Sequence, residues 1–395
     1  MTRTPPIPAE LEHVRKAALR ALGPVRQADT STKAEKNFLF DAKRTDAGRE
    51  LPPYYLVYFL LVELLGFKDL GQWEKVSWSV PLEFEGEAFL VEHRKLGLGL
   101  FARDPATQEG DAKQIAIRIQ KAVKAARPFF DWLASQAVAS SHVNVHNNSA
   151  PLYGRYEFLL SAYRAKRDEA ARRKDEKIVE KGKSEHGTWS HISLPTFQLR
   201  REASWFALSV VEAFFSWSEH VLIHLAVLTG KVLAAEEVAS LAAADWSTKF
   251  KTAIDIAPPE AKSQFDRMVS IRQDLRNHVA HGAFGKQGEA FSFHSGAGAV
   301  PVLLPYKRGS NRFTLNQGLE FDTEAALTSI EQFIDFLWSG DRAPAKLYIQ
   351  DSYLPIVLTY AANGTYTQAM GSKEEMESFV TYLSNDMDRA ANMDW

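Results

Sequence analysis

The chain contains no cysteine in its 395 residues. That excludes disulfides, cysteine-ligated zinc sites and thiol catalysis, and it suits a protein of the reducing cytoplasm. Charge of one sign is lacking too. A formal net charge of −2 gives no overall attraction to nucleic acid, so any RNA site has to be a local basic patch. The opening Met1-Thr2-Arg3-Thr4-Pro5-Pro6 has none of the apolar run of a signal peptide. The most apolar stretch, Trp205 to Leu228, is interrupted by Glu212, Glu219, His220 and His224, which are costly at a bilayer centre. A buried helix is expected there, in a cytoplasmic protein with no membrane association. There is no Walker phosphate loop, no Rossmann glycine fingerprint, no Gly-x-Ser-x-Gly elbow, no internal repeat and no low-complexity tract. His220 and His224 have the i,i+4 spacing of metal ligands, but Glu219 precedes the pair and His-Glu-x-x-His is missing. They read as core or surface histidines, as do His142 and His146, and no metal or other cofactor is expected.

What is present is ordinary globular material, 45% hydrophobic and 24% charged, long enough for two or three domains. Residues 1–150 read as an α+β domain. A short amphipathic helix spans Ala9 to Leu22, and Leu56 to Phe67 forms a strongly apolar one. Val76–Val80, Ala88–Val91 and Leu96–Phe101 alternate as strands, with a turn at Glu85-Gly86. A long amphipathic helix follows from Asp111 to about Ser135, and Ser140 to Ala150 is a polar loop.

Residues 151–340 read as a helical domain. A helix from Tyr153 grows into a charged segment, Arg164 to Glu185, with nine basic and six acidic residues. Such a mixed run is either a solvated helix face and domain junction or a mildly basic RNA contact. Helices follow at Leu199–Leu228, Ala234–Ala243, Trp246–Ile256 and from Pro259, then strands at Phe291–Phe293 and Val300–Leu304, then a helix at Thr323–Trp338. Residues 341–395 read as a small C-terminal element. It comprises two strands, Leu354–Tyr360 and Thr365–Met370, joined at Asn363-Gly364, and a last helix opened by the capping box Ser372 to Glu375.

The chemistry concentrates in Leu275-Arg276-Asn277-His278-Val279-Ala280-His281-Gly282. A guanidinium, a carboxamide and an imidazole stand within six residues near the end of a helix, with Gly282 as a C-terminal stop. Arg276 can neutralise a phosphate and His281 can move a proton near neutral pH. Asn277 can donate to the same phosphate or hold the imidazole tautomer. Five residues of ideal helix rotate Arg276 and His281 by roughly 140° from one another. The helix therefore unwinds near Val279, or the two side chains reach one site from different directions. The competing structural reading is a helix C-cap in which Arg and His satisfy the last carbonyls.

Arg276-Asn277-x-x-x-His281 resembles the signature of HEPN domains, an all-helical family that includes many bacterial toxin and antiviral ribonucleases. The resemblance covers about residues 151–340, and only the motif in it is specific. It implies a mainly α, overall α+β chain: a HEPN-like helical bundle with a β insertion after the motif, preceded by the α+β domain and followed by the hairpin-helix element. The implied activity is metal-independent endoribonuclease cleavage of RNA, tRNA or mRNA, in which the 2′-hydroxyl attacks to leave a 2′,3′-cyclic phosphate. The implied role is a toxin or anti-phage abortive-infection effector, under an antitoxin or a phage-derived trigger. Two motif copies meet across a HEPN dimer, and this chain has one copy, so a homodimer through the helical domain is implied. Residues 1–150 are then a sensor, regulator or substrate-positioning domain.

A polar residue on an earlier helix often faces the motif in that family. Glu212 or Glu219 is the candidate to orient Arg276, against the alternative that each faces solvent. His278 occupies a variable slot and is a supporting residue at most. The alternative function is a catalytically silent HEPN-like interaction or assembly module. A third reading rests on Glu92-His93-Arg94-Lys95, which distantly resembles the acidic-x-Lys pattern of metal-dependent DNA nucleases; Arg94 stands in place of the lysine and the preceding strand-end Asp is missing.

Overall fold

In the first unit of the chain, three strands of four or more residues and two short polar edge strands form one five-stranded antiparallel sheet. The computed structural model describes residues 6–34, 36–184, 187–280, 292–303, 314–315 and 322–394, with backbone alone for 184, 276–280, 292–293, 301–303 and 314–315. The chain divides into two units, Met1–Ser140 with Thr381–Trp395, and Ser141–Val380. It is mainly helical with small antiparallel sheets, an α+β chain.

The first unit opens with α1 (Glu12–Leu22), β1 (Arg26–Gln27), α2 (Phe38–Asp41) and β2 (Lys43–Arg44). Next come α3 (Tyr54–Tyr58), which runs on as a π-helical stretch over Phe59–Leu64, then β3 (Val76–Phe84), β4 (Glu87–Arg94) and β5 (Gly97–Ala102). The strand order is β1-β3-β4-β5-β2. Glu85 and Gly86 both have positive φ (53° and 87°), the two-residue turn whose twist matches a β-hairpin. Successive residues of β4 face opposite sides of the sheet. Phe89 and Val91 join Leu22, Leu60, Leu61 and Ile115 in the main core, while Ala88 and Leu90 pack with Phe38, Ala42 and Phe101 on the other face.

Two helices, α4 (Pro105–Ala125) and α5 (Arg127–Ala139), replace the single helix expected over 111–135. Pro128 lacks the N–H that would continue the ladder and instead sits in the first turn of α5.

The second unit holds β6 (Asn144–Val145), α6 (Ser149–Arg172), β7 (Ile178–Ser184), β8 (Gly187–Ser193) and α7 (Pro195–Leu228). Then come α8 (Ala235–Ala243), α9 (Trp246–Ala253) and α10 (Pro259–Ala280), followed by β9 (Ser292–Ser295), β10 (Gly298–Leu303), β11 (Thr314–Leu315) and α11 (Thr323–Leu337). α6 packs along α7, which also meets α9 and α11. α7 is long and apolar enough to cross a membrane, but it is the core helix of this unit. Phe214, Trp217, Val221 and Leu225 on it are fully buried, and Phe214 and Phe215 meet an aromatic cluster that includes Trp246, Phe250 and Phe333. The two buried indoles of this core are partnered: Trp246 Nε1 donates to Ser218 Oγ at 3.0 Å, and Trp217 Nε1 to Ser149 Oγ at 3.2 Å.

Two sequence expectations are corrected here. The charged run 164–185 is not one solvated helix: α6 stops at Arg172 and the rest enters the antiparallel β7–β8 hairpin. Its helical part is tied to neighbours by Arg164–Glu331 (2.6 Å), Arg167–Glu324 (2.9 Å) and Lys166–Glu202 (2.7 Å). The expected C-terminal hairpin is helical. After α12 (Ala343–Lys346), β12 (Ile356–Val357) pairs with β6, and α13 (Leu358–Ala362) and α14 (Thr365–Ala369) flank Asn363-Gly364. Gly364 has φ 82°, and Asn363 Oδ1 accepts from Thr365 N (3.1 Å), so the pair caps a helix and does not turn a hairpin. Residues 341–395 are divided between the two units. α15 (Lys373–Asn392) begins within the second unit, and the chain from Thr381 belongs to the first. The expected cap of α15 is present: Ser372 Oγ accepts from Glu375 N at 3.1 Å.

Candidate functional site

The motif helix α10 is built from an amphipathic repeat whose apolar members Ala261, Met268, Ile271 and Leu275 are buried. It remains helical through Ala280, so the chain does not unwind at Val279. Arg276, Asn277 and His278 stand on its last turns, and of their side chains only the helical position is described. His281 and Gly282 lie outside the described residues, as does the expected helix stop.

One turn before Arg276, α10 is held by a carboxylate of α7. Glu219 Oε1 lies 3.0 Å from Arg272 Nη2, and its other oxygen accepts from Lys249 Nζ at 2.7 Å. Lys249 is only 4% exposed, so its ammonium depends on this partner. The Arg272 guanidinium lies 5.5 Å over the Phe215 ring, a cation–π contact one turn before Glu219 on α7. Arg276 follows Arg272 by four residues, a helical position rotated by about 40° and advanced by about 6 Å. α10 is further tied by Arg267 Nη1 to Gln332 Oε1 of α11 at 2.6 Å.

Of the two supporting carboxylates, Glu219 therefore faces α10. Glu212 is exposed, as its solvent-facing alternative requires. Trp205, Glu212 and Glu219 are spaced by sevens along α7, so they fall on one stripe that turns by about 20° per step. Sequence reasoning missed Lys249 and Arg272. Their only sequence signal was two basic residues on the flanking amphipathic helices α9 and α10.

His220 and His224 are core histidines. His220 Nε2 accepts from Asn148 N at 2.9 Å, and His224 Nδ1 donates to the His220 carbonyl at 2.9 Å. Burial pushes His220 down to about 3 and His224 down to about 4, so both are neutral at physiological pH and poor proton shuttles there. Glu92 is fully buried and already engaged. It accepts from Ser79 Oγ (2.9 Å) and from Arg94 Nε (2.6 Å). Among the described residues no group of three His, Cys, Asp or Glu side chains is placed to hold a metal ion.

Comparison with known proteins adds no relative: no family model matches the chain, and neither a curated protein nor a solved structure resembles it significantly.

Proposed function

We propose that this chain is a metal-independent endoribonuclease of the HEPN type, acting in the cytoplasm as a toxin or anti-phage effector. The observation that carries the reading is the Arg276-Asn277-x-x-x-His281 set in the sequence, of which Arg276 and Asn277 stand in the last turns of α10, a helix that the Glu219–Arg272 ion pair anchors one turn earlier. A second support is the order of elements, in which the strands β9–β11 follow the motif helix within a mainly helical unit.

RNA cleavage without metal needs a proton removed from the 2′-hydroxyl, charge stabilised on the pentavalent phosphorus and a proton delivered to the 5′-oxygen. Arg276 supplies the planar fork for the phosphate oxygens, Asn277 a further donor, and His281 the proton transfer. The 2′-oxygen forms the new bond to phosphorus, the 5′-oxygen leaves with a proton, and a 2′,3′-cyclic phosphate remains. One imidazole does not serve both ends of an in-line displacement, so the reading requires a homodimer with both motifs in one composite site. Apolar side chains suited to meeting a second copy are exposed on the two long helices: Phe158 (70%) on α6, and Phe197 (64%) and Trp205 (59%) on α7. In the cell an antitoxin or a phage-derived trigger governs the activity.

The test is cleavage of total RNA and tRNA in EDTA by the wild type, His281→Ala and Arg276→Ala. Cleavage that survives EDTA, leaves cyclic-phosphate ends and disappears in both variants supports the reading. A wild type that neither cuts RNA nor is toxic to cells, relative to His281→Ala, leaves the bundle as an interaction module.

A further inference from the structure

The first unit carries a cleft that the ribonuclease reading does not use. Its volume is about 810 Å³, within the usual range for a small-molecule site. Among the described residues, Lys43, Arg44, Lys75, Arg94 and Lys95 line it, against the carboxylate of Glu74. It opens on the side of the sheet away from the main core: Leu90, Glu92 and Arg94 alternate along β4, and Leu90 packs with Phe38 and Phe101. Even with Glu74, the buried Glu92 and Asp394 set against those cations, the described residues of the cleft keep an excess of two positive charges, in a chain whose formal net charge is −2.

Aromatic surface accompanies the charge. Phe101 forms the floor, with the Arg94 guanidinium 4.0 Å and that of Arg44 5.8 Å from its ring centre. Both guanidiniums are held in place. Arg44 Nη2 donates to the Gly97 and Leu98 carbonyls, and Arg94 is fixed by Glu92 through Nε and Nη2, so that among the described residues its Nη1 donors are left for a ligand. Phe40 stands at the rim 83% exposed, and Trp73 lines the same space. An exposed phenylalanine beside fixed guanidiniums is a stacking platform next to a phosphate clamp.

The rim already holds an anion of the chain's own. Lys75 Nζ is ion-paired with Asp394, and Lys95 Nζ donates to Asn392 Oδ1 at 2.9 Å. This pairing lowers the Asp394 carboxyl below its usual range.

We propose that this cleft binds a nucleoside phosphate, with its phosphate on the lysine and arginine side chains, its base against Phe40, and Asp394 as the internal carboxylate that the phosphate displaces. Two sources share that chemistry, a free nucleotide and the 5′-phosphorylated end of an RNA strand. The inference does not depend on the ribonuclease reading, because none of its residues belongs to α10.

The experiment is calorimetric titration of the full chain with AMP, ATP, inorganic phosphate and a 5′-phosphorylated oligoribonucleotide beside its 5′-hydroxyl form. The variants are Lys43→Glu, Phe40→Ala and Asp394→Asn, all at exposed positions, with thermal unfolding as the check on folding. Supporting results are binding of AMP, ATP or the phosphorylated strand at least tenfold tighter than inorganic phosphate, weakened about tenfold or more by Lys43→Glu and Phe40→Ala and tightened by Asp394→Asn. Preference for the mononucleotides or for the phosphorylated strand identifies the source. Absence of binding at millimolar concentration, affinity no better than inorganic phosphate, or indifference to Lys43→Glu and Phe40→Ala in folded protein overturns the proposal. RNA cleavage by His281→Ala has no bearing on this outcome, so the two readings fail separately.

Discussion

Glu219 of α7 and Arg272 of α10 meet at 3.0 Å, and the same carboxylate holds the nearly buried Lys249 of α9. One side chain thus ties three helices together at the approach to the motif. Glu219→Ala strands the Lys249 ammonium, and a stability loss of about 1–3 kcal/mol is expected from chemical denaturation, smaller than for a fully buried pair because Glu219 is partly exposed. Glu212→Ala, at an exposed site, should change stability by less than about 0.5 kcal/mol. Equal losses in the two variants would show that the pairing does not hold α10.

The core around α7 is aromatic and closely packed. Phe333 of α11 is fully buried and touches Phe214, Trp246 and Phe250. Phe333→Ala should cost about 3–5 kcal/mol, read as a lower denaturation midpoint with unchanged slope. A loss below about 1 kcal/mol would mean that the core collapses around the gap.

Acid should weaken the second unit through its histidines. Their folded values, about 3 for His220 and about 4 for His224, lie below the ordinary 6.5, so the unfolded chain takes up protons first as pH falls. The stability they contribute is fully present above about 6.5 and is lost progressively as pH falls through 4 toward 3. His224→Leu should flatten the decline between pH 6.5 and 4, measured as midpoint against pH. An unchanged slope would place the acid sensitivity elsewhere.

The proposed composite site would make activity depend on assembly. Sedimentation should give a dimer for the wild type, and Trp205→Glu, which puts a charge on an exposed apolar position of α7, should shift it to monomer and reduce RNA cleavage in parallel. A monomeric wild type that cleaves with full activity would contradict the shared site.

Legibility tracked the range of the interactions. β3, β4 and β5, the turn at Glu85-Gly86 and the helices α7 to α11 could be read because period-two and helical repeats are local. Asn363-Gly364 misled because a residue that tolerates positive φ serves a hairpin and a helix junction equally well. Only the partners of the flanking segments decide between them, and here Tyr366 is buried with its hydroxyl accepting from Val357 N at 2.7 Å. Of the candidate site, the motif was visible as adjacent letters, whereas Glu219 was one of two equivalent carboxylates until packing turned it onto Arg272 and left Glu212 in water.

By itself the sequence determined the absence of thiol chemistry, the polarity pattern that makes helices and strands, and the residue types gathered at 275–282. Those are properties of composition and of neighbours along the chain. Tertiary structure alone decided that Lys43-Arg44 and Arg94-Lys95, some fifty residues apart, line one cleft with Phe40. Strand pairing sets β2 and β4 on either side of β5, and no local rule specifies that register.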